Sequence, residues 1–217
     1  MTSTSTEELI RQLAETERRA AAERELVRRG HNVVPVLTQA AAQMPPHQAA
    51  ILRTLLAIAD PRSEDIFRRA VASSDPDIRS IGAQGLRRLG APDALAALQL
   101  TINDAPDPLR FVQTPAVQSL IEMGMPAIPT IFTLMESPDE RTRQRAQHAL
   151  AAVVLRNIVQ QLQPRPLTSD AQAAWERLRT ANGSYQWDSP GDARRASLVL
   201  WRRWFDEMQQ RGSHGGP

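Results

Sequence analysis

A leucine-rich helical segment that ends in glycine or aspartate recurs along the chain at a nearly fixed interval. Leu26 to Gly30 (LVRRG), Leu56 to Asp60 (LAIAD), Leu86 to Gly90 (LRRLG) and Leu120 to Gly124 (LIEMG) end at positions separated by 30, 30 and 34 residues. A period of this size is that of a helical hairpin repeat. One hairpin cannot bury its apolar face alone, so the interval predicts an all-α fold, an α-solenoid of stacked antiparallel helix pairs. Such an array usually offers a long surface to another macromolecule. The 217 residues suffice for one continuous stacked core. The nearest approach to a strand, Asn32 to Leu37 (NVVPVL), contains Pro35, which would interrupt a sheet ladder.

Capping and proline signals place the helices. Ser5 with Glu8 forms a capping-box pattern that opens a first helix running to Arg29. Beyond Gly30, helices are expected at 33–43, 46–59, 62–73, 76–89, 92–102, 115–123, 127–136 and 138–162. The pairs Asp60 and Pro61, Asp75 and Pro76, Thr114 and Pro115, and Ser137 and Pro138 mark the clearest starts. Ser137 to Glu140 reads as a second capping box, and Asn103 to Gln113 is longer than a normal inter-repeat turn. One apolar stripe joins Ala146, Ala149, Leu150, Val153, Val154 and Ile158, with Arg141, Arg145, His148 and Arg156 off it. Another joins Ile78, Gly82, Ala83, Leu86 and Leu89, where small residues permit close helix approach.

The expected organisation is an N-terminal capping helix (1–30), a helical array (31–162), a Trp-rich helical cap (163–211) and a disordered tail (212–217). The proline-containing segment QPRPLTS, from Gln163, separates array from cap, and all four tryptophans, Trp175, Trp187, Trp201 and Trp204, lie beyond it.

Composition excludes chemistry. All 26 basic residues are Arg, and Lys and Cys are absent, so no P-loop lysine, Schiff base, thiol nucleophile, disulfide or thiolate metal site can form. The formal net charge of +2 gives no strong general field for nucleic acid or a membrane. His31, His47, His148 and His214 stand in separate segments without ligand spacing, so neither a metal nor a cofactor is expected. The start of the chain has no secretory pattern and no stretch is apolar enough to span a bilayer, which points to a cytoplasmic protein.

The segment Ser74, Asp75, Pro76, Asp77, Ile78, Arg79, closed by Leu86 and Gly90, resembles the HEAT-repeat family, in particular the short bacterial form seen in phycobilisome-lyase-like proteins. Ser137, Pro138, Asp139 and Arg143 repeat the pattern, and Pro106 to Arg110 repeats it with three extra residues before Leu120. The resemblance covers about Leu26 to Val154, and the NGSYQWDSP segment with the helix ending WRRWF resembles tails that close some bacterial HEAT proteins. It implies binding and scaffolding. A lyase-like role has no supporting residue beyond the repeat itself.

Asp75 and Arg79 read as turn residues that orient successive repeats. Candidate partner-binding residues are Gln84, Arg88, Gln118, Arg145 and His148 on second helices, where an acidic segment of another protein could lie, and Trp201 with Trp204 at the C-terminal end. The expectation is a non-enzymatic adaptor without catalytic residues. The alternative is a nucleic-acid-binding HEAT protein of the alkylpurine DNA glycosylase type, against which stand the near-zero net charge and the confinement of every Trp to one end.

Overall fold

The computed structural model describes residues 4–162 and 168–214. The chain is all-α, with helix pairs stacked in the HEAT manner and no strand among the described residues. It divides into two compact units, Met1–Pro106 with Thr114–Ser119, and Asp107–Gln113 with Leu120–Pro217. The division falls within the 31–162 stretch read as one array. Most of the expected linker, residues 163–167, lies outside the described residues.

The first unit holds α1 (Thr6–Gln12), α2 (Arg19–Arg29), α3 (Val34–Gln43), α4 (Gln48–Ile58), α5 (Glu64–Val71), α6 (Pro76–Leu89) and α7 (Ala94–Leu100), and α8 (Pro115–Met123) begins in it. Short turns make neighbours in sequence neighbours in space, and α6 packs on α4, α5 and α7. Ser5 caps α1 as its spacing predicts, its Oγ accepting the Glu8 N–H at 3.2 Å. The helix does not run to Arg29, however. It breaks after Gln12 and resumes at Arg19. Leu9, Ile10 and Leu13 are buried, and Arg19 Nε donates to the Leu13 carbonyl at 2.8 Å. Burial of that apolar triplet overrides the helix propensity of the Glu, Arg and Ala run that follows.

Aspartate and proline start two of the later helical segments. Asp60 accepts the Arg62 N–H at 2.9 Å before a turn of 3₁₀ helix leads into α5. Asp75 accepts the Asp77 and Ile78 N–H groups at 2.8 and 3.4 Å at the start of α6. The stripe of α6 faces inward as expected, with Ile78, Gly82, Ala83 and Leu86 buried. They join Leu37, Ile51, Leu52, Leu55, Phe67 and Leu98 in the core.

The repeat ends share a positive φ. Gly30, Gly90 and Gly124 have φ of +60°, +70° and +69°, and at the second boundary the left-handed residue is Ala59, φ +55°, rather than Asp60. Gly124 also has ψ near −140°, a region open essentially to glycine. A Cβ on Gly124 would meet nothing within 4 Å, so the cost of adding one is purely conformational. Gly124→Ala is expected to lower the unfolding free energy by about 1–3 kcal/mol, and Ala59→Gly to change it by less than about 1 kcal/mol, in the stabilising direction. Urea midpoints of the two variants test the pair; equal losses in both would contradict this reading.

The second unit holds the rest of α8, then α9 (Ile128–Met135), α10 (Glu140–Gln161), α11 (Thr168–Ala181) and α12 (Gly191–His214). The cap of α10 is Asp139, which accepts the Thr142 N–H at 2.8 Å, while Ser137 Oγ accepts the N–H of Asp139 one turn earlier. The expected start at Ser137 thus moves two residues on, because both side chains suit a cap and the carboxylate takes it. Along α10, Ala146, Ala149, Leu150, Val153 and Val154 are buried. The last helix continues through His214, beyond the point where a tail was expected to begin at 212; residues 215–217 lie outside the described residues.

Candidate interaction surfaces

The arginines of the repeat turns are occupied. In the first unit Arg79 donates from Nη1 to the carbonyls of Ser73 and Ser74 at 3.1 and 2.9 Å, and from Nε and Nη2 to both oxygens of Asp104 at 2.9 and 2.8 Å. In the second unit Arg143 repeats the arrangement, Nη1 reaching the carbonyls of Ser137 and Pro138 at 3.0 and 2.7 Å and Nε the carbonyl of Trp187 at 2.8 Å. Each guanidinium satisfies carbonyls that the preceding turn leaves without helical partners and ties that turn to a later segment. The Asp104 carboxylate holds the Arg79 pKa above its ordinary value. Arg68 is likewise engaged, by Glu64, Asp65 and Asp93, and its hydrogen bond lowers the Asp93 pKa.

Asp60 anchors a further cluster. Its carboxylate is buried, accepts from Arg62 Nε and Nη2 at 3.0 and 2.7 Å, and lies 2.5 Å from Nδ1 of the exposed His31. Arg62 Nη2 also donates to the His31 carbonyl at 2.8 Å, which joins the turn after α2 to the turn after α4. Hydrogen bonds from the Arg62 guanidinium, from the Arg62 backbone N–H and from His31 hold the Asp60 pKa far below the carboxylate range, against the opposing effect of burial. A depressed folded pKa contributes stability above the unfolded value near 4, and that stability is lost as pH falls through and below it. Asp60→Asn is therefore expected to be less stable than the parent at pH 7, with the gap narrowing below about pH 4. Urea unfolding at both pH values measures it; a gap that stays constant on acidification would show that the charge is not what stabilises.

The candidate binding residues fall into different settings. In the first unit Arg88 is exposed on α6, one turn beyond the half-buried Gln84, whose Nε2 donates to the Ser80 carbonyl at 3.2 Å. Gln118, on α8, is exposed. In the second unit His148 is half-buried, and desolvation lowers its pKa. Arg145 departs from the expectation of an open inner surface. It is 5% exposed, and its Nε and Nη2 donate to the Phe111 carbonyl at 3.2 and 2.9 Å. A guanidinium adjoining the apolar stripe is tolerated there because a carbonyl meets it.

Trp201 is 1% exposed, stacked on Trp175 at 6.0 Å and edge-on to Trp204 at 5.4 Å, with its indole N–H buried and meeting no acceptor. It is a packing residue, whereas Trp204 is half-buried. The segment docks on the preceding helix pair at several points. Phe205 meets Phe132 edge-on at 6.2 Å, and Arg202 pairs with Glu136 at 2.8 Å. The Tyr185 hydroxyl donates to the Met135 carbonyl at 2.7 Å, and burial pushes its pKa up to about 12. The Trp187 N–H donates to Gln147 Oε1 at 2.9 Å.

Two features escape a reading by periodicity. The loop 107–113 is closed by the Asp107 N–H donating to the Gln113 carbonyl at 2.9 Å and by Asp107 Oδ1 accepting the N–H groups of Leu109 and Arg110 at 2.8 and 3.0 Å. It nevertheless presents Leu109 at 93% and Phe111 at 62% exposure. The signal available in the sequence was two apolar residues inside a proline-flanked insert. The second feature is a cleft of about 710 Å³ among α10, α11 and α12, with Ile158, Leu178, Trp204 and Met208 in its lining.

Among the described residues no group of His, Asp and Glu is placed to hold a metal ion, and no helix is long and apolar enough to cross a membrane. No curated protein and no solved structure matches the chain. One family model does, that of HEAT repeats, over residues 34–119, less than half of the 217 residues. That span runs from the start of α3 into α8, and the Asp139 and Arg143 turn beyond it repeats the geometry of Asp75 and Arg79. The chain thus carries, over 34–119, a segment similar to the HEAT repeats.

Proposed function

We propose that the chain is a non-enzymatic HEAT-repeat adaptor that binds an acidic segment of another protein along α6 and the start of α8, in its first unit. HEAT repeats generally serve as protein-binding scaffolds. The observation that carries the reading is a contrast between arginines of the matched segment. Arg68 and Arg79 are committed to carboxylates and turn carbonyls, whereas Arg88 is exposed with no ion pair among the described residues. An exposed guanidinium on a rigid helix, one turn from Gln84, can grip a carboxylate with little loss of side-chain entropy. Three of the groups with perturbed pKa have structural partners, Asp60 with Arg62, Asp93 with Arg68 and Tyr185 with Met135, which supports binding over catalysis at those positions.

The test is a native pull-down of the tagged chain from its own lysate, with and without nuclease, beside Arg88→Glu. The reading expects one stoichiometric protein, retained after nuclease and lost with Arg88→Glu, while the thermal midpoint of that variant is unchanged. Recovery that depends on intact nucleic acid would overturn it and favour the glycosylase-type alternative. Undiminished recovery with Arg88→Glu would remove the site assignment.

A further inference from the structure

We propose that the loop 107–113 of one copy seats in the cleft beside Trp204 of a second copy, reciprocally, so that the chain forms a two-fold dimer through its second unit. The loop is built to present side chains rather than to bury them. Its backbone is tied by Asp107 and by the buried Arg145, yet Leu109 and Phe111 stand in solvent at 93% and 62% exposure. Apolar anchors on a preformed backbone lose little entropy on docking.

The cleft supplies the complement. Met125, Ile158, Leu178, Trp204 and Met208 line it, all of them half-buried, and the exposed Glu207 and Arg211 stand at its rim. At about 710 Å³ it has room for a leucine and a phenylalanine side chain. Charge favours a second copy as the occupant. Arg110, between the two anchors, makes no ion pair among the described residues, and Glu207 has only a long 3.8 Å pairing with Arg211 on its own helix. An apolar–cationic–apolar tip thus faces a largely apolar cleft whose edge carries Glu207 in a loose pair with Arg211, a pairing that Arg110 of the second copy can replace. Leu109 is too exposed to occupy the cleft of its own chain. Because tip and cleft belong to one compact unit, a two-fold axis engages both pairs at once and closes the assembly at two copies. Two tips in two clefts bury an area of order 1,000 Å², the lower end for a specific interface, so the dimer is expected to be weak and concentration-dependent.

Sedimentation equilibrium of the full chain from about 1 to about 200 µM, a span suited to micromolar association, tests this. The parent should pass from monomer to dimer across that range. Leu109→Ser with Phe111→Ser should stay monomeric. Arg110→Glu and Glu207→Arg should each weaken association about tenfold, and the two together should restore most of it. All four positions are exposed, so unchanged thermal midpoints serve as the control on folding. A parent that remains monomeric throughout overturns the proposal and leaves tip and cleft to a different protein. So does a dimer that survives the loop double variant, or a charge exchange that fails to rescue. None of these outcomes bears on Arg88, so the adaptor reading stands or falls separately.

Discussion

Replacing Trp201 with alanine is expected to lower the unfolding free energy by about 3–5 kcal/mol, the largest loss for any single position described above. The indole is 1% exposed and lies between Trp175 and Trp204, so the substitution removes a large buried area together with one stacked and one edge-on ring contact. No rearrangement of small side chains can fill the resulting space. Trp201→Phe should recover about half of the loss, since a smaller ring keeps part of the contact and removes an indole N–H that meets no acceptor. Urea unfolding followed by far-UV circular dichroism gives the ranking. A loss below about 1 kcal/mol for Trp201→Ala would mean that the ring does not carry the packing assigned to it.

The second large effect has a sign opposite to the one helix propensity suggests. Gly82 and Gly85 lie inside α6, where alanine would ordinarily add up to about 1 kcal/mol each. At Gly82 a Cβ would come within 2.7 Å of the Val71 nitrogen and 2.8 Å of the Phe67 carbonyl oxygen. Both are backbone atoms of α5 and cannot turn aside, so the two helices would have to separate. Overpacking of this kind costs about 1–3 kcal/mol, occasionally more, and Gly82→Ala is expected to destabilise by a net 2 kcal/mol or so. At Gly85 the added carbon would run into the Phe67 ring, itself fully buried. Thermal melts decide the sign: a rise for Gly82→Ala would mean that α5 and α6 do not approach as closely as described.

Much of this packing is legible in the sequence, and the failures are instructive. The apolar stripe through Gly82 and Leu86 is visible because small and large residues recur at helical spacing on one face, and Asp75 with Pro76 fixes where that helix starts. The turn role of Asp75 and Arg79 follows from the same spacing. Arg145 was misread because amphipathic logic sends every charge outward, whereas a guanidinium can be buried wherever a carbonyl waits for it. Its acceptor, Phe111, is in an insert whose path no periodicity specifies. The break after Gln12 was missed for the opposite reason. No glycine or proline marks it, and the burial of Leu13 that causes it is a tertiary event. The exposure of Leu109 and Phe111 was equally hidden, since apolar residues in a loop carry no face.

The arginine clasps at residues 73–79 and 137–143 have a consequence for alkaline conditions. Guanidinium groups keep their protons beyond pH 12, and a chain without lysine has no ammonium side chains to lose their charge near pH 10. The Arg79 clasp, its guanidinium held above its ordinary pKa by Asp104, therefore keeps its carbonyls through the range in which lysine-based ion pairs fail. The alkaline limit passes instead to Tyr185, whose buried hydroxyl stays protonated up to about 12 while an unfolded tyrosine ionises near 10. Stability should therefore persist to about pH 10 and decline beyond it, whereas on the acid side it erodes below about pH 4, where Asp60 takes up a proton in the unfolded chain but keeps its charge in the folded one.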